Sequence, residues 1–488
     1  MKDPVVVILI IAAYFLALML VAHFTSKGAD NSTYFTGNRN MAWPLVAVAM
    51  ITAPISGITF ISAPGMVASK GYTYLQMCLG FVVGYLVIAW VLVPLFYKHK
   101  IISIYTYLEK RFGNSAYKTG AWLFLMSEVL GVGVRFMVVC VVLQMLVFDP
   151  LNLPFTMNVL VTMSLIWLYT LRGGVKSVIW SDTVKSICLL LSIALFFYFI
   201  ASQLGLSFKE GCEAIRSHHS TVIFNFDNPM EATYFWKQFL TGIFIVVAMT
   251  GLDQDMMQRI LACKDSKDAR KNLSVSGFLQ FLVIAFLLAL GTLMVIYMES
   301  HNLEMPEKTD DLFATVAFHE DMPGVVGILF ILGIVSASYS SVGSALTSLT
   351  TSFTVDILKA NSRHDETGVR KIRNSVHLCM AVLLSGVIIA FYYINNQDAI
   401  TALFTLASYT YGPILGLFLY GIFSRRRPES YWIPWICILS PVISWVCSYA
   451  GRILFDYDTG FELFLLNTAI TIAGLTLVPA EQPATETA

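Results

Sequence analysis

The chain has 488 residues, of which 57% are hydrophobic and 13% charged, and its mean hydropathy is +0.71. Basic and acidic residues balance at 31 each, so the formal net charge is zero. This composition excludes an ordinary soluble domain, and the balanced charge gives no indication of a nucleic-acid partner. We therefore expect an integral membrane protein.

Apolar stretches of about 20 residues, long enough to cross the ~30 Å hydrocarbon core of a bilayer, recur along the whole chain. The first of them, 4–24, is too long for the apolar region of a signal peptide and lacks an Ala-x-Ala-like end, so we expect it to be retained. In chain order, the thirteen predicted spans are 4–24, 43–69, 72–98, 117–149, 155–171, 177–205, 232–260, 271–298, 324–356, 371–393, 400–423, 432–450 and 460–479.

Most lysines and arginines outside these spans lie in loops that follow odd-numbered spans. Basic residues near span ends are retained on the cytoplasmic side of a membrane. We therefore predict a multi-pass protein of the cell membrane, specifically the bacterial inner membrane, with its N-terminus outside and its C-terminus in the cytoplasm. Three basic residues, Arg135, Lys185 and Lys237, fall inside spans and away from their ends, and they require partners there.

Two spans contain residues that interrupt a helix. Pro54, Gly57, Pro64 and Gly65 lie in the second span, and Gly251 precedes an acidic run in the seventh. Backbone groups freed from a helix are tolerated in hydrocarbon only where protein buries them or where they line a cavity. Interrupted spans in corresponding positions of two halves indicate a transporter binding site.

The two interrupted spans lie five spans apart, which predicts two five-helix repeats, inverted because five is odd. We therefore predict a single transmembrane domain over 1–488. It comprises a leading helix (4–24), a first repeat (43–205), an inverted second repeat (232–423), two extra helices (432–479) and a polar tail (480–488) that we expect to be disordered.

The second half of the ninth span is unusually polar and reads SASYSSVGSALTSLTTSFTVD over 336–356. Ala337, Ser340, Ser341 and Ser344 recur at helical spacing, so they form one stripe of small side chains and hydroxyl oxygens. A small hard cation such as Na⁺ prefers oxygen ligands. Stripes of small residues also occur where membrane helices pack against each other, so the stripe alone leaves both interpretations open.

Six segments form further motifs: ISGITF (55–60), YTYLEKRFG (105–113), YTLRGGVKSVIWSD (169–182), GLDQDMMQR (251–259), ASYSSVGS (337–344) and TSFTVDI (351–357). With these motifs the chain resembles the sodium/solute symporter family, which includes sodium–sugar and sodium–sialic acid cotransporters. The resemblance covers nearly the whole chain. It implies an all-α integral membrane protein of the LeuT type, in which the second span is the first core helix and the ninth span is the eighth.

The resemblance implies a sodium site between those two core helices. Pro54 and Gly57 loosen the helix where backbone carbonyls would turn inward. No net protein charge is needed, so Na⁺ would bind weakly and reversibly, as a coupling ion must. The implied ligands are the carbonyls of Thr52, Ile55 and Ala337 and the hydroxyls of Ser340 and Ser341.

Some members of the family have a second sodium site, which here would involve Asp182, Ser340 and Ser344. Gly343 stands where those members have another serine. Lys185 lies one turn from Asp182, where its ammonium can pair with the carboxylate and replace a cation. We therefore expect coupling to one Na⁺ rather than to two.

For the solute, the resemblance to the sialic acid carriers implies Ser56 and Thr59, just after the first break, and Arg135 on the third core helix. A guanidinium fork can bind a carboxylate through two hydrogen bonds. Glu128 lies two turns away on the same helix face, so an internal ion pair of Arg135 is an equal alternative.

The remaining predicted solute contacts and the predicted gate lie on other helices. Cys78 stands where relatives have a glutamine, with Gln76 nearby, and Thr250 lies at the second break. Tyr409 and Tyr411 precede a Gly-Pro pair on the tenth core helix, where the family often has an outer gate.

An acidic run follows the second break. We expect Asp253 and Asp255 at the inner membrane edge, because an acid near the midplane is costly. A structural salt bridge with Arg259 is therefore favoured over contact with the solute.

Together these features predict a secondary transporter that imports a small polar organic solute with Na⁺ by alternating access. Arg135 favours a sugar acid such as sialic acid, and a neutral sugar or polyol is the alternative. No HExxH, paired catalytic aspartates or Ser/His pair indicates an intramembrane enzyme, and a channel is possible only as a leak. Na⁺ is the expected coupling ion. We expect no organic cofactor and no obligate protein partner besides the solute and the bilayer.

Overall fold

The computed structural model describes residues 4–25, 31–99, 101, 103–171, 174–394, 399–457 and 459–480 of the chain. Two predicted features lie outside this description, namely the side chain of the proposed sodium ligand Ser340 and the tail beyond residue 480. The described chain is helical, and its β pairings are the isolated bridges Met41–Cys263 and Pro428–Ala480.

Thirteen segments form the bundle, two of them in two halves. They are α1 (Pro4–Thr25), α2a (Trp43–Thr52) and α2b (Gly57–Lys70), α3 (Tyr74–Lys98), α4 (Asn114–Phe148), α5 (Phe155–Thr170), α6 (Gly174–Gln203), α7a (Phe235–Gly251) and α7b (Gln254–Ile260), α8 (Ser266–Ser300), α9 (Gly324–Ile357), α10 (Glu366–Ile394), α11 (Ala399–Phe423), α12 (Ile433–Phe455) and α13 (Leu463–Leu477).

These helices correspond to the predicted spans. Among the described residues, nine helices are long and apolar enough to cross a membrane, and the two bent pairs are spans when their halves are joined. The remaining two, α5 and α13, are shorter apolar helices. The main difference lies at the ends, since α8 begins several residues earlier than predicted, where Asp265 provides its N-cap.

Both predicted interruptions are present. The halves of α2 meet at a bend of 58° and those of α7 at a bend of 72°. In α2 the chain leaves the helix at residues 53–56, because Pro54 has no N–H to donate and Ser56 is extended, with a ψ of 176°. Pro64 and Gly65, by contrast, lie inside α2b without interrupting it.

The polar helix α9 is central in the bundle. About four fifths of its apolar stretch (82%) is buried, against 22% for α12. α9 packs against α2b, α4 and α6, while α3 packs against α7a and α8 against α2b. α12 and α13 are peripheral, and α12 exposes apolar side chains such as Trp435 and Ile438 that suit contact with lipid. The polar stripe of α9 is therefore enclosed by protein.

Lys237, one of the basic residues predicted inside spans, is explained by its place near the start of α7a. Its ammonium donates to the Tyr457 hydroxyl at 2.7 Å and lies 3.8 Å from Glu462. Lys237 thereby connects α7a to the loop between α12 and α13. Arg135 and Lys185, by contrast, are buried in the interior of the bundle.

Candidate sodium and solute sites

The break in α2 lies directly against α9. A Cβ atom at Gly57 would come within 2.1 Å of the Ser338 hydroxyl, so the approach requires glycine. It brings the break beside the segment of α9 that contains Ala337 and Ser341. The carbonyl of Ile55, in the break, accepts no hydrogen bond from the described part of the chain, so its lone pairs are available to a cation.

Four of the five predicted sodium ligands have described side chains, and all four are buried. Thr52, Ile55 and Ala337 are 0% exposed and Ser341 is 1% exposed. The Ser341 hydroxyl lies 3.4 Å from the Ala337 carbonyl, at the long limit of a hydrogen bond, while the Thr52 hydroxyl is bonded to Ser186 on α6 at 2.9 Å. A set of neutral carbonyl and hydroxyl oxygens fits a cation that must bind and leave again.

Lys185, only 1% exposed, fills a second group of oxygen atoms. Its Nζ lies 3.3 Å from Asp182 Oδ1 and 3.2 Å from both the Tyr169 hydroxyl and the Tyr339 carbonyl. These oxygens belong to α6, α5 and α9, respectively. The chain's own ammonium therefore occupies the space beside Asp182, in agreement with the expectation of a single coupled Na⁺, which stays a prediction.

Two neighbouring positions on α9 agree with this assignment. A Cβ atom at Gly343 would lie 1.9 Å from the Tyr169 hydroxyl, so position 343 has no room for another serine. The hydroxyl of Ser344 donates to Asp255 on α7b at 3.0 Å. Gly343 therefore cannot supply an additional ligand, and the Ser344 hydroxyl is directed towards a different carboxylate.

Arg259, which is 1% exposed, lies between two carboxylates. Its Nη2 is 3.4 Å from Asp182 Oδ2 and 3.5 Å from Asp255 Oδ2. The predicted salt bridge between Asp255 and Arg259 is confirmed. The two oxygens of Asp182 thus face two cations of the chain itself, Lys185 and Arg259.

A cavity of about 780 Å³, its opening included, lies between the two breaks and α3, α4, α8 and α11. Its lining contains four residues predicted to bind the solute and one of the two predicted gate residues: Ser56, Thr59, Arg135, Thr250 and Tyr411. The structure therefore brings together predicted residues from both repeats.

Three other predicted residues, Gln76, Cys78 and Tyr409, do not line this cavity. The Gln76 side chain accepts from the Asn225 N–H at 3.0 Å and donates to the Thr233 carbonyl at 2.8 Å, so it anchors the loop between α6 and α7. Cys78 is fully buried in α3, and Tyr409 is half-buried on α11. Solute contact by Gln76 and Cys78, and a gating role of Tyr409, stay predictions.

Arg135 lies both beside Glu128 and at the wall of the cavity. Its Nη2 lies 3.5 Å from Glu128 Oε2, and its Nε donates to the Gly131 carbonyl at 3.1 Å. Its Nη1 forms no hydrogen bond with the residues that the structure describes, and the side chain lines the cavity. The long ion pair leaves N–H groups of the guanidinium available to a ligand.

Asp253 lines the cavity, while its expected position at the inner membrane edge stays a prediction. Its Oδ1 caps α7b by accepting from the backbone N–H groups of Asp255 and Met256 at 2.7 and 3.2 Å. Its Oδ2 accepts from the Tyr411 hydroxyl at 2.5 Å. The signal was present in the sequence, because an aspartate shortly after Gly251 is a preferred helix N-cap.

Glu128 and Gln280 also line the cavity, although no motif assigned either of them to the solute. They are 1% and 5% exposed, respectively. A weak signal existed for both. An acid or amide inside an apolar span, such as Gln280 in FLQFLVIAF (278–286), is costly unless it serves a partner or a ligand.

The model of the Sodium:solute symporter family matches residues 34–430. The chain is 26% identical over 465 residues to the sodium/sialic acid symporter NanT of Aliivibrio fischeri, which covers 91% of this chain and 88% of that protein. It is 23% identical over 419 residues to the human sodium/iodide cotransporter, covering 82% and 62%. A solved Na⁺-coupled sialic acid symporter in its substrate-bound outward-open state has a TM-score of 0.82 to this chain at 20% identity, covering 98% and 99% of the two chains.

Proposed function

Because the chain belongs to the sodium:solute symporter family, we propose that its solute is a sugar acid such as sialic acid and that one Na⁺ accompanies each solute molecule. Sodium-coupled secondary transport is the activity of this multi-pass membrane protein, and the predicted all-helical LeuT-type fold is confirmed. The family and the relatives are transporters rather than enzymes. A neutral sugar or polyol is the second candidate for the solute.

The observation that carries the sugar-acid proposal is the position of Arg135. Its buried guanidinium borders the cavity between the two breaks and retains an Nη1 that is not hydrogen-bonded to the described residues. Such a group binds carboxylates through charge-assisted hydrogen bonds. Ser56 and Thr59 after the first break, and Thr250 at the second, offer hydroxyls to the remainder of the solute. The two relatives named above carry sialic acid and iodide, which are both anions.

For the coupling ion, we infer a site between the α2 break and α9. Close contact of Gly57 with Ser338 and the unbonded carbonyl of Ile55 support it. The ligands would be the carbonyls of Thr52, Ile55 and Ala337 and the hydroxyls of Ser340 and Ser341. A single ion is supported by Lys185, whose ammonium already neutralises Asp182.

Coupling follows from the adjacency of the two sites. The proposed sodium ligand Ile55 directly precedes Ser56, which borders the cavity, so Na⁺ and solute would order the same break. Na⁺ that binds preferentially to the state with an open cavity shifts the population towards the state that accepts the solute. We further infer that the N-terminus lies outside, the C-terminus in the cytoplasm, and the protein in a bacterial inner membrane.

Uptake of labelled sialic acid and labelled glucose into proteoliposomes, with and without an inward Na⁺ gradient, tests this proposal. Arg135→Ala should abolish uptake of the acid at every Na⁺ concentration. Ser341→Ala should restore uptake only at roughly tenfold higher Na⁺, the equivalent of about 1.4 kcal/mol of ion binding. Lys237→Ala is the control, since this basic residue lies in a spanning helix away from both sites.

The dependence of the rate on Na⁺ concentration tests the number of ions. We expect a Hill coefficient of about one, whereas a value near two would contradict the single-ion proposal. Uptake of glucose alone, unaffected by Arg135→Ala, would favour the second candidate and return Arg135 to a structural ion pair. A Ser341→Ala protein with unchanged Na⁺ dependence would rule out the proposed ion site.

A further inference from the structure

Two residues that line the cavity each have a buried acceptor atom that lacks a donor. Oε1 of Glu128 and Oε1 of Gln280 form no hydrogen bond with any residue that the structure describes. Glu128 projects from α4 and Gln280 from α8, so the two oxygens belong to different walls of the cavity. Buried polar atoms are rarely left unsatisfied, and a cluster of them at a cavity indicates a ligand or water that completes them.

Two polar side chains that line the cavity, Tyr411 and Asp253, do not supply the missing donors. The single proton of the Tyr411 hydroxyl is directed to Asp253 at 2.5 Å, and the hydroxyl lies 3.4 Å from Glu128 Oε2. Asp253 itself is satisfied, because it accepts from Tyr411 and from two backbone N–H groups of α7b. Glu128 Oε2 is left with two long contacts, to Tyr411 at 3.4 Å and to Arg135 at 3.5 Å.

The charge of the cavity matters for the kind of solute. Its lining contains two carboxylates, Glu128 and Asp253, and one guanidinium, Arg135. A plain carboxylate would gain Arg135 but would lie near the charge of Glu128, without donating anything to it. A carboxylate with hydroxyl or amide N–H groups binds Arg135 and also satisfies the free acceptors.

We propose that Glu128 and Gln280 are specificity-determining residues, which select acids that also present hydroxyl or amide donors and reject plain monocarboxylates. This inference rests on the proposed function, because it specifies which sugar-acid groups the same cavity recognises. Glu128 has a double effect. It accepts from the donor-bearing solute, and it weakens the hold of Arg135 on any carboxylate that brings no donor.

The two effects have opposite signs, which provides the test. Affinities of the purified full-length protein for sialic acid, propionate and glucose are measured by calorimetry in saturating Na⁺. Glu128→Gln should lower the affinity for sialic acid by about tenfold, because one charge-assisted hydrogen bond is lost. The same variant should raise the affinity for propionate severalfold, because Arg135 is released from its acidic partner. Gln280→Leu should lower the affinity for sialic acid and leave the affinity for propionate unchanged.

Asp356→Asn is the matched control, because this buried carboxylate is bonded to Ser103, Tyr117 and Ser352 and does not line the cavity. The ratio of the sialic acid and propionate affinities should stay that of the wild type. Equal changes for both ligands in Glu128→Gln would overturn the inference and leave Glu128 as a structural partner of Arg135. Absence of binding for every donor-bearing probe would overturn it as well.

Failure of the proposed function gives a different pattern. If the wild-type protein binds glucose and not sialic acid, the sugar-acid proposal is wrong. The acceptor role is then decided by glucose itself, whose affinity must fall in Glu128→Gln and Gln280→Leu. An unchanged glucose affinity in both variants would reject the acceptor role separately.

Discussion

Replacing Lys185 with Met removes a buried ammonium while keeping most of the side-chain length. The ammonium is bonded to Asp182, Tyr169 and Tyr339, and the residue is 1% exposed. Removing one partner of a buried ion pair costs about 3–5 kcal/mol. Because Arg259 remains 3.4 Å from Asp182, we expect the lower end, about 3 kcal/mol, in a buffer without Na⁺.

Sodium should reverse much of this loss. The vacated position retains the Asp182 carboxylate, the Tyr169 hydroxyl and the Tyr339 carbonyl, which can bind a cation. A ligand at a hundred times its dissociation constant stabilises a protein by about 2.7 kcal/mol. The Lys185→Met protein should therefore gain clearly more stability from Na⁺ than the wild type does, and its transport should show a second, weaker sodium dependence.

The assay is chemical and thermal unfolding of the purified protein in detergent, with Na⁺ exchanged for choline at constant ionic strength. Lys237→Met is the control, since the ion pair of Lys237 with Glu462 is long and partly exposed. This variant should lose under about 1 kcal/mol of stability and show no additional stabilisation by Na⁺. A Lys185→Met protein as stable as the wild type without Na⁺, or one with the wild-type Na⁺ response, would refute the idea that Lys185 replaces a cation.

Three further changes test the packing and capping described above. Gly343→Ala should lower the free energy of unfolding by about 2 kcal/mol, because its Cβ would clash with Tyr169. Gly386→Ala, with open space around it, should be neutral or stabilise the protein by up to ~1 kcal/mol. Equal melting temperatures of the two variants would contradict this. Asp253→Ala should cost about 1 kcal/mol through the lost α7b cap, while Asp253→Asn keeps the cap; a cost equal in both would exclude capping as the cause. Gln76→Ala should increase proteolysis of the loop between α6 and α7 and leave the KM for the solute unchanged, and a raised KM would return Gln76 to the solute site.

The sequence by itself determined the apolar spanning helices and the two breaks. Span length is a local sum of apolar residues, and the loss of an N–H at Pro54 interrupts a helix whatever packs around it. The same holds for the hydroxyl stripe of α9 at Ser341 and Ser344, because helical periodicity alone aligns these residues on one face. The ion pair of Lys185 and Asp182 could also be predicted from the sequence, since residues three apart lie on the same face of any α-helix.

Only the tertiary structure decided which groups meet across helices. Lys185 donates hydrogen bonds to Tyr169 and Tyr339 on two other helices. Gln76 is hydrogen-bonded to the distant loop between α6 and α7, and Gln280 lines the cavity from α8. The rotation of each helix about its axis and its depth in the bundle set these contacts, and a shift of a few ångströms changes a hydrogen-bond partner. Hydropathy does not encode such rotations, because a buried amide and a cavity-facing amide interrupt the same apolar run. The unsatisfied oxygen of Glu128 is of this kind, since the residue is local but the missing donor is a property of the whole packed bundle.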